Sequence, residues 1–188
     1  MNDLASFAQW RKRLSVTDTQ RFLLLALFIG IFSGLLVVCF HMFIDWVSWT
    51  SLGALSGRFR FGRLLSPTVG AVAATYLVQR VFTKARGSGV NQTKAAIYAS
   101  NGYISSSTIA GKFLSCGISI GMGNSLGPED PSLQMGAGVA SRLGRLFQLP
   151  RAQMRLIAPV GAAAGIAAAF NTPITGVLFV MEEVLADW

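Results

Sequence analysis

An uninterrupted apolar run constrains what this chain can fold into more than any other feature. Residues 22–44 read FLLLALFIGIFSGLLVVCFHMFI and carry no formal charge when the histidine is neutral. A helix of this length can cross the roughly 30 Å hydrocarbon core of a lipid bilayer. The run therefore predicts a membrane-spanning helix and an integral membrane protein.

The composition agrees with a membrane protein. Only 13% of the 188 residues are charged and 52% are hydrophobic, whereas soluble domains carry about 25% charged residues. The net charge is +8, but the basic residues are scattered between apolar segments, so they predict contact with loops and lipid headgroups rather than with nucleic acid. Two cysteines and a single histidine offer neither a disulfide framework nor a metal site. We expect no metal and no cofactor.

The organisation of the chain changes along its length. We expect a cytoplasmic N-terminal segment over residues 1–21 and a membrane domain over residues 22–188, with a polar connecting loop at 45–66 and a second helix from Pro67 to about Phe82. Beyond that helix, short apolar segments are separated by Gly, Pro, Ser and Asn, and they fall at about 90–99, 104–120, 131–148, 153–169 and 173–186. Short, interrupted apolar segments are typical of transporters whose helices end inside the membrane beside the substrate.

The first candidate site is the stretch Gly87-Ser88-Gly89-Val90-Asn91. Its glycines permit unusual backbone angles and close approach. If a helix begins at about Val90, its first N–H groups and the Ser88 hydroxyl point the same way, which suits an anion. An ordinary turn with Ser88 as helix N-cap fits the same residues.

The second candidate site lies within GMGNSLGPEDPSLQ, residues 121–134. Pro131 can occupy the first turn of a helix, which puts Glu129 and Asp130 at the helix N-terminus. Acids at that position stabilise the helix dipole. At membrane depth, however, acidic side chains are rare and usually serve a function.

The third candidate stretch is APVGAAAGIAAAFNTPITGVLFVMEEV, residues 158–184. Its small residues predict a slim helix that packs closely, broken at Asn171-Thr172-Pro173. A short apolar helix follows and ends in Glu182 and Glu183. Adjacent helical residues lie about 100° apart, so either one acid faces the interior and the other an aqueous edge, or both belong to a solvated helix end.

Taken in this order and spacing, the three stretches resemble the CLC family of chloride channels and chloride/proton antiporters. GSGVN at 87–91 resembles the family's GSGIP, GPEDP at 127–131 resembles G-K/R-E-G-P, and FNTPITGVLFVMEE at 170–183 is similar to FNxPxxGxLFxxEE. The resemblance covers about residues 20–188. It implies an all-α membrane fold of short, broken, tilted helices, in which this chain is the first of two inverted repeats.

The resemblance also implies a set of functional residues. Ser88 and Gly89 resemble residues that bind the central chloride, and Gly127, Glu129 and Asp130 occupy the positions of the outer chloride site. Glu129 resembles the protonatable gate, and Glu183 the inner proton-transfer glutamate of the antiporters.

These positions imply transmembrane chloride transport, with Glu183 favouring chloride/proton antiport; a passive voltage- or pH-gated chloride channel is the alternative. The implied partners are chloride, protons, the lipid bilayer and a second copy in a homodimer. The implied location is the cell (inner) membrane, as a multi-pass protein.

Three substitutions and the length of the chain depart from the family pattern. Asn91-Gln92 stands where the family's first half-helix usually begins with Ile-Pro-Glu. Pro128 stands where the family has a basic residue and has no N–H to donate. Asp130 stands where the family has glycine, and its charge is expected to repel chloride. The second-repeat GxFxP loop and pore tyrosine are absent from the sequence. We therefore expect the missing C-terminal half of the same protein to complete the pore, or else a truncated nonfunctional fragment.

Two other classes of function were weighed against transport. An intramembrane enzyme could use Glu129 and Asp130 as an acid/base pair, but the chain lacks a nucleophile motif, a metal site and a usable histidine, so we predict that it is not an enzyme. A non-catalytic membrane scaffold is the other alternative.

Overall fold

The computed structural model describes residues 18–53 and 60–185, and the regular elements in those ranges are all helical. The α-helices there are α1 Asp18–Ser48, α2 Arg60–Tyr76, α3 Gly89–Ala99, α4 Ser106–Gly121, α5 Glu129–Leu146, α6 Arg151–Phe170 and α7 Pro173–Val180. Turns of π-helix at Trp49–Gly53, Leu77–Val81 and Met181–Leu185 extend α1, α2 and α7, and a 3-10 turn at Thr83–Ala85 leads into α3. The predicted all-α class is confirmed.

The five short segments predicted after residue 89 are confirmed as α3 to α7. The breaks between them have local causes. At the end of α6, Asn171 takes the left-handed conformation with φ 55°, which ends many helices. Pro173 then begins α7, a position where its missing N–H costs nothing.

The predicted loop at 45–66 is wrong at both ends. Helix α1 continues to Ser48, and α2 begins at Arg60, seven residues before Pro67. Pro67 therefore lies inside the helix instead of in its first turn. The prediction took arginine for a loop signal, although arginine is a good helix former. The middle of that loop, and all but the last four residues of the predicted segment 1–21, lie outside the described residues.

Two helical stretches are long and apolar enough to cross a membrane by length and composition, Gln20–Gly53 and Arg151–Phe170. Helix α1 exposes much of its apolar surface, including Leu27 and Leu35, which are 65% and 62% exposed. Helix α2 does the same through residues such as Leu64. A helix that is apolar all round needs an apolar environment, so these surfaces suit contact with lipid.

Helices α5 and α6 cross with their backbones in contact at the centre of the fold. A Cβ added at Gly161 would overlap the carbonyl oxygen of Gly136 and come within 2.6 Å of the Ala140 Cβ. A Cβ at Gly165 would overlap the carbonyl oxygen of Ser132. The close packing predicted for the small-residue helix is therefore confirmed, and this crossing fixes α5, which begins with the two candidate acids.

We expect Gly161→Ala to destabilise the folded chain by about 3 kcal/mol, the upper end of the usual cost of overpacking. The added methyl group meets backbone atoms, which cannot rotate away. The control is Gly30→Ala in α1, where a Cβ meets nothing within 4 Å. Thermal unfolding followed by tryptophan fluorescence should separate the two variants, and equal midpoints would contradict the packing argument.

Candidate functional site

Three hydrogen-bond donors at the start of helix α3 point toward the same acceptor group. Ser88 is the N-cap in an extended conformation, and its hydroxyl oxygen accepts a hydrogen bond from the Asn91 N–H at 3.5 Å. The preceding Gly87 has φ +86°, a left-handed conformation that glycine adopts without strain. The helix begins at Gly89, close to the predicted Val90. We call the Ser88 hydroxyl and the N–H groups of Gly89 and Val90 the anion cradle.

The carboxylate of Asp130 occupies the anion cradle. Ser88 Oγ donates to Asp130 Oδ1 at 2.9 Å, and the Val90 N–H donates to the same oxygen at 3.2 Å. The Gly89 N–H lies 2.8 Å from Oδ1 and 2.7 Å from Oδ2. The cradle thus binds a negatively charged group through three donors, as expected of a helix N-terminus. The occupant is a side chain from the first turn of α5.

Lys112 of α4 supplies the positive charge of this site. Its Nζ lies 3.2 Å from Asp130 Oδ2 and donates to the Gly87 carbonyl oxygen at 2.7 Å. The Lys112 side chain is 6% exposed, against 33% for Asp130. A buried ammonium needs an anionic partner, and Asp130 provides it.

Sequence reasoning missed Lys112, although a signal for it was present. The residue is the lone charge in SSTIAGKFLSCGISIG, the sequence of α4. A single basic side chain inside an apolar segment at membrane depth is a functional candidate for the same reason as an acid.

Helices α3 and α5 approach closely beside the cradle. A Cβ on Gly89 would lie 2.5 Å from the Asp130 carbonyl oxygen and 2.9 Å from the Gln134 Cβ. One turn further along α5, Gln134 Nε2 donates to Gln92 Oε1 of α3 at 2.6 Å. Glycine at position 89 therefore lets the cradle reach the Asp130 carboxylate.

Glu129 points away from the anion cradle. None of the described hydrogen bonds joins it to Ser88, Gly89 or Val90. Its carboxylate lies over Gly127, where an added Cβ would overlap it. It borders a cavity of about 390 Å³ formed with the end of α6 and with α7. The remaining lining residues are Ile166, Phe170, Thr172, Thr175 and Phe179. The two adjacent acids thus have separate surroundings.

The backbone expected to form the outer chloride site offers few donors. Pro128 and Pro131 have no N–H, and the N–H of Ser132 is bonded to the Pro128 carbonyl oxygen at 3.0 Å. The N–H groups of Glu129 and Asp130 belong to the first helical turn, where no acceptor precedes them in the helix. With Gly127, at most three N–H groups of residues 127–131 can face an anion.

Glu183 lies beside Lys94 of α3, away from the anion cradle. Its Oε2 is 4.0 Å from Lys94 Nζ, and its side chain is about half exposed. Lys94 follows Gly89 by five residues, roughly 8 Å along the helix axis. Glu182 is exposed and forms no ion pair in the part of the chain that the structure describes. Both acids are exposed, so neither faces the interior of the described part of the chain, and the two differ in the ion pair that Glu183 forms with Lys94 of α3.

The C-terminal end of α3 is fixed by a positive charge. Arg155 of α6 donates from Nε to the Ile97 carbonyl oxygen at 3.0 Å and from Nη2 to the Tyr98 carbonyl oxygen at 2.9 Å. A cation there stabilises the helix dipole, as an anion does at the N-terminus. Helix α3 is held at both ends by groups of opposite charge.

A larger cavity of about 700 Å³ adjoins the cradle on the side of Lys112. Its walls come from α2, α4 and the segment before α3, and they include Arg86, Gly87, Lys112, Ser115 and Ser119. Basic and hydroxyl groups are compatible with a hydrated anion. Among the described residues, no group of three His, Cys, Asp or Glu side chains could hold a metal ion.

Short helices that end around a half-buried anionic group are typical of membrane proteins that bind ions between their helices. The chain belongs to the voltage-gated chloride channel family, whose model matches residues 70–188. The resemblance drawn from the three sequence stretches is thus confirmed, and with the long apolar helices it puts the chain among membrane proteins.

Relatives with known names and structures agree with this family. The chain is 35% identical over 174 residues to the H(+)/Cl(-) exchange transporter ClcA of Yersinia pestis bv. Antiqua (strain Angola), a match over 88% of this chain and 36% of the relative. The ClcA protein of Citrobacter koseri is 31% identical over 168 residues, 36% of its own length. The chain spans about a third of the length of the curated relatives it matches.

The fold is similar to those of solved antiporters. A slow cyanobacterial Cl⁻/H⁺ antiporter matches with a TM-score of 0.75 at 25% identity, over 87% of this chain and 40% of that one. A CLC-type fluoride/proton antiporter matches with a TM-score of 0.72 at 25% identity, over 89% and 41%. The predicted CLC-type fold is confirmed for the described residues.

Proposed function

We propose that residues 22–188 form the first repeat of a chloride/proton antiporter and act with a second repeat from the rest of the same protein. The observation that carries the proposal is the anion cradle, in which a serine hydroxyl, two backbone N–H groups and a buried ammonium converge on one negative charge. The names of the relatives support chloride and protons as the transported ions.

Each candidate residue has a role in this proposal. Ser88, Gly89 and Val90 bind chloride at the cradle, with Lys112 supplying the balancing charge. Glu129, at its own cavity near Gly127, is the protonatable gate of the outer anion site. Its position is separate from the cradle, so the proton and the chloride have different binding sites in this proposal.

Glu183 is the proposed inner proton-transfer group. It is about half exposed and lies beside Lys94, so it can exchange protons with water at the membrane edge. The protein is proposed to be a multi-pass homodimer of the cell membrane, since the apolar surfaces of α1 and α2 need a lipid or protein partner.

The proposed function is tested with the complete gene product in liposomes. We expect a chloride gradient to drive proton movement against the proton gradient, measured with an internal pH dye and a chloride electrode. Chloride movement without protons would instead identify the passive channel. Liposomes that move neither ion would leave the scaffold or a nonfunctional protein as the explanation.

We expect Glu183→Gln to lower proton movement by about tenfold or more while chloride movement continues. An amide cannot carry a proton, and a positioned acid or base contributes at least that factor to proton transfer. Glu182→Gln is the matched control, because it makes the same change at the exposed neighbouring residue. Equal proton fluxes in the two variants would remove the role assigned to Glu183.

A further inference from the structure

We propose that Asp130 is a tethered anion that competes with chloride for the anion cradle, so that chloride binds at Ser88 only when the carboxylate has moved away. This inference rests on the proposed function and concerns the control of the same site. It reverses the expectation that Asp130 acts mainly by repelling chloride from beside the gate.

The donors of the cradle are already used by Asp130. All three of them contact its carboxylate, and the Gly89 N–H lies within 2.8 Å of both carboxylate oxygens. An anion at Ser88 would have to take these bonds over, because each N–H can satisfy only one strong acceptor well. Two negative charges in contact would also repel each other.

The charge balance of the site allows one monovalent anion at a time. Lys112 carries one positive charge, and its side chain is 94% buried. With Asp130 in place, the pair is neutral. When the carboxylate leaves, the ammonium and the N-terminus of α3 remain without an anion, which favours a replacement of the same charge. Chloride has that charge, and the 700 Å³ cavity beside Lys112 offers it space next to the site.

The exposure of the two side chains indicates which partner moves. Lys112 is enclosed and also holds the Gly87 carbonyl oxygen, whereas a third of the Asp130 side chain is exposed. The carboxylate is joined to α5 by a single methylene group, so it stays close to the cradle after leaving it. A competitor held at such high effective concentration lowers the apparent affinity for chloride without excluding it.

A purely structural role for Asp130, linking α3 to α5, predicts the opposite change in chloride affinity when the residue is removed. If Asp130 only stabilised the contact, its removal would loosen the cradle and weaken chloride binding. If Asp130 competes, its removal frees the donors and strengthens chloride binding. The sign of the change in affinity therefore separates the two roles.

The test uses Asp130→Asn and Asp130→Ala in the complete protein, with Asp45→Asn of α1 as a control that makes the same change in net charge away from the cradle. In the titration, chloride replaces methanesulfonate at constant ionic strength. The midpoint of thermal unfolding rises when chloride binds the folded protein. We expect both Asp130 variants to bind chloride about tenfold or more tightly than wild type and the control. Unchanged or weaker binding in both variants would overturn the proposal.

The change in thermal stability on adding formate provides a second measurement, and the proposal predicts its direction. A planar carboxylate can restore the bonds that the side chain made, so formate should stabilise Asp130→Ala and leave wild type unchanged. Equal stabilisation of the two proteins by formate would contradict the assignment of the cradle to the Asp130 carboxylate.

Should neither variant yield folded protein, crystals of the wild-type protein grown in bromide decide the question by anomalous scattering. Bromide in contact with Ser88 Oγ while Asp130 still binds Gly89 overturns the proposal. Bromide found only where the carboxylate has moved away, or no bromide there while it remains, supports it. These are binding measurements. If the wild-type protein couples chloride and proton transport but the Asp130 variants bind chloride no more tightly, only this inference is wrong. If the variants bind chloride more tightly but the wild-type protein shows no coupled transport, only the proposed function is wrong.

Discussion

Replacing Glu129 by glutamine will abolish chloride-driven proton movement in the complete protein while chloride movement continues. The carboxylate of Glu129 lies over Gly127 and borders a cavity walled by α6 and α7. Glutamine keeps nearly the same shape but cannot accept or release a proton. Because it is uncharged, it also resembles the protonated glutamate and does not compete with chloride for the backbone donors of residues 127–131.

The experiment compares proton and chloride fluxes of wild type, Glu129→Gln and Glu182→Gln in the same liposomes. We expect proton flux in Glu129→Gln to fall to the level of empty liposomes. Glu182→Gln is the control, since it makes the same substitution at an exposed acid that has no ion pair among the described residues. Intact proton coupling in Glu129→Gln, or its equal loss in both variants, would defeat the assignment of the gate to Glu129.

Replacing Lys112 by methionine will destabilise the folded protein by about 3 kcal/mol, near the lower end of the cost of breaking a buried ion pair by removing one partner. The lower end applies because Asp130 is one-third exposed and keeps its hydrogen bonds to all three donors of the cradle. Methionine fills a similar volume, so the loss reports the missing charge and the missing bond to the Gly87 carbonyl oxygen.

A double-mutant cycle isolates the electrostatic part of this effect. In the Asp130→Asn background, Lys112→Met leaves no unpaired negative charge, so its additional cost should fall well below the cost in wild type. The measurement is the thermal or denaturant midpoint of the four proteins in the same detergent. Additive effects of the two substitutions would show that the pair is not coupled.

The fold class and the positions of the short helices could be predicted from the sequence, because Gly, Pro and Asn mark the ends of these helices. The start of α3 near Val90, with Ser88 as N-cap in one of the two interpretations, was predictable for the same reason, because the residues that form this turn are adjacent in the sequence. The beginning of α2 was not predictable from polarity, because the arginines before Pro67 are compatible with a helix. Their side chains can lie at the edge of an apolar surface.

The occupant of the cradle was also not predictable from local pattern. Glu129 and Asp130 are neighbours in the sequence, and the resemblance pointed to Glu129 as the acid with a role. Which of them reaches α3 depends on how α5 is turned, and the backbone contact of Gly136 with Gly161 on α6 sets that rotation. Lys112 lies on α4, a helix that contains none of the three stretches identified in the sequence, so its contact with Asp130 was not expected.

The fixation of α3 at both ends has a consequence for how ions exchange. Arg155 holds the carbonyl groups at one end whether or not Asp130 occupies the other, and Gly89 and Gln92 keep the helix against α5. If the Asp130 carboxylate leaves as proposed, these contacts keep the released donors in position. If chloride replaces it as proposed, the chloride meets a pre-organised site, and the exchange needs a side-chain rotation without the slower rearrangement of a helix.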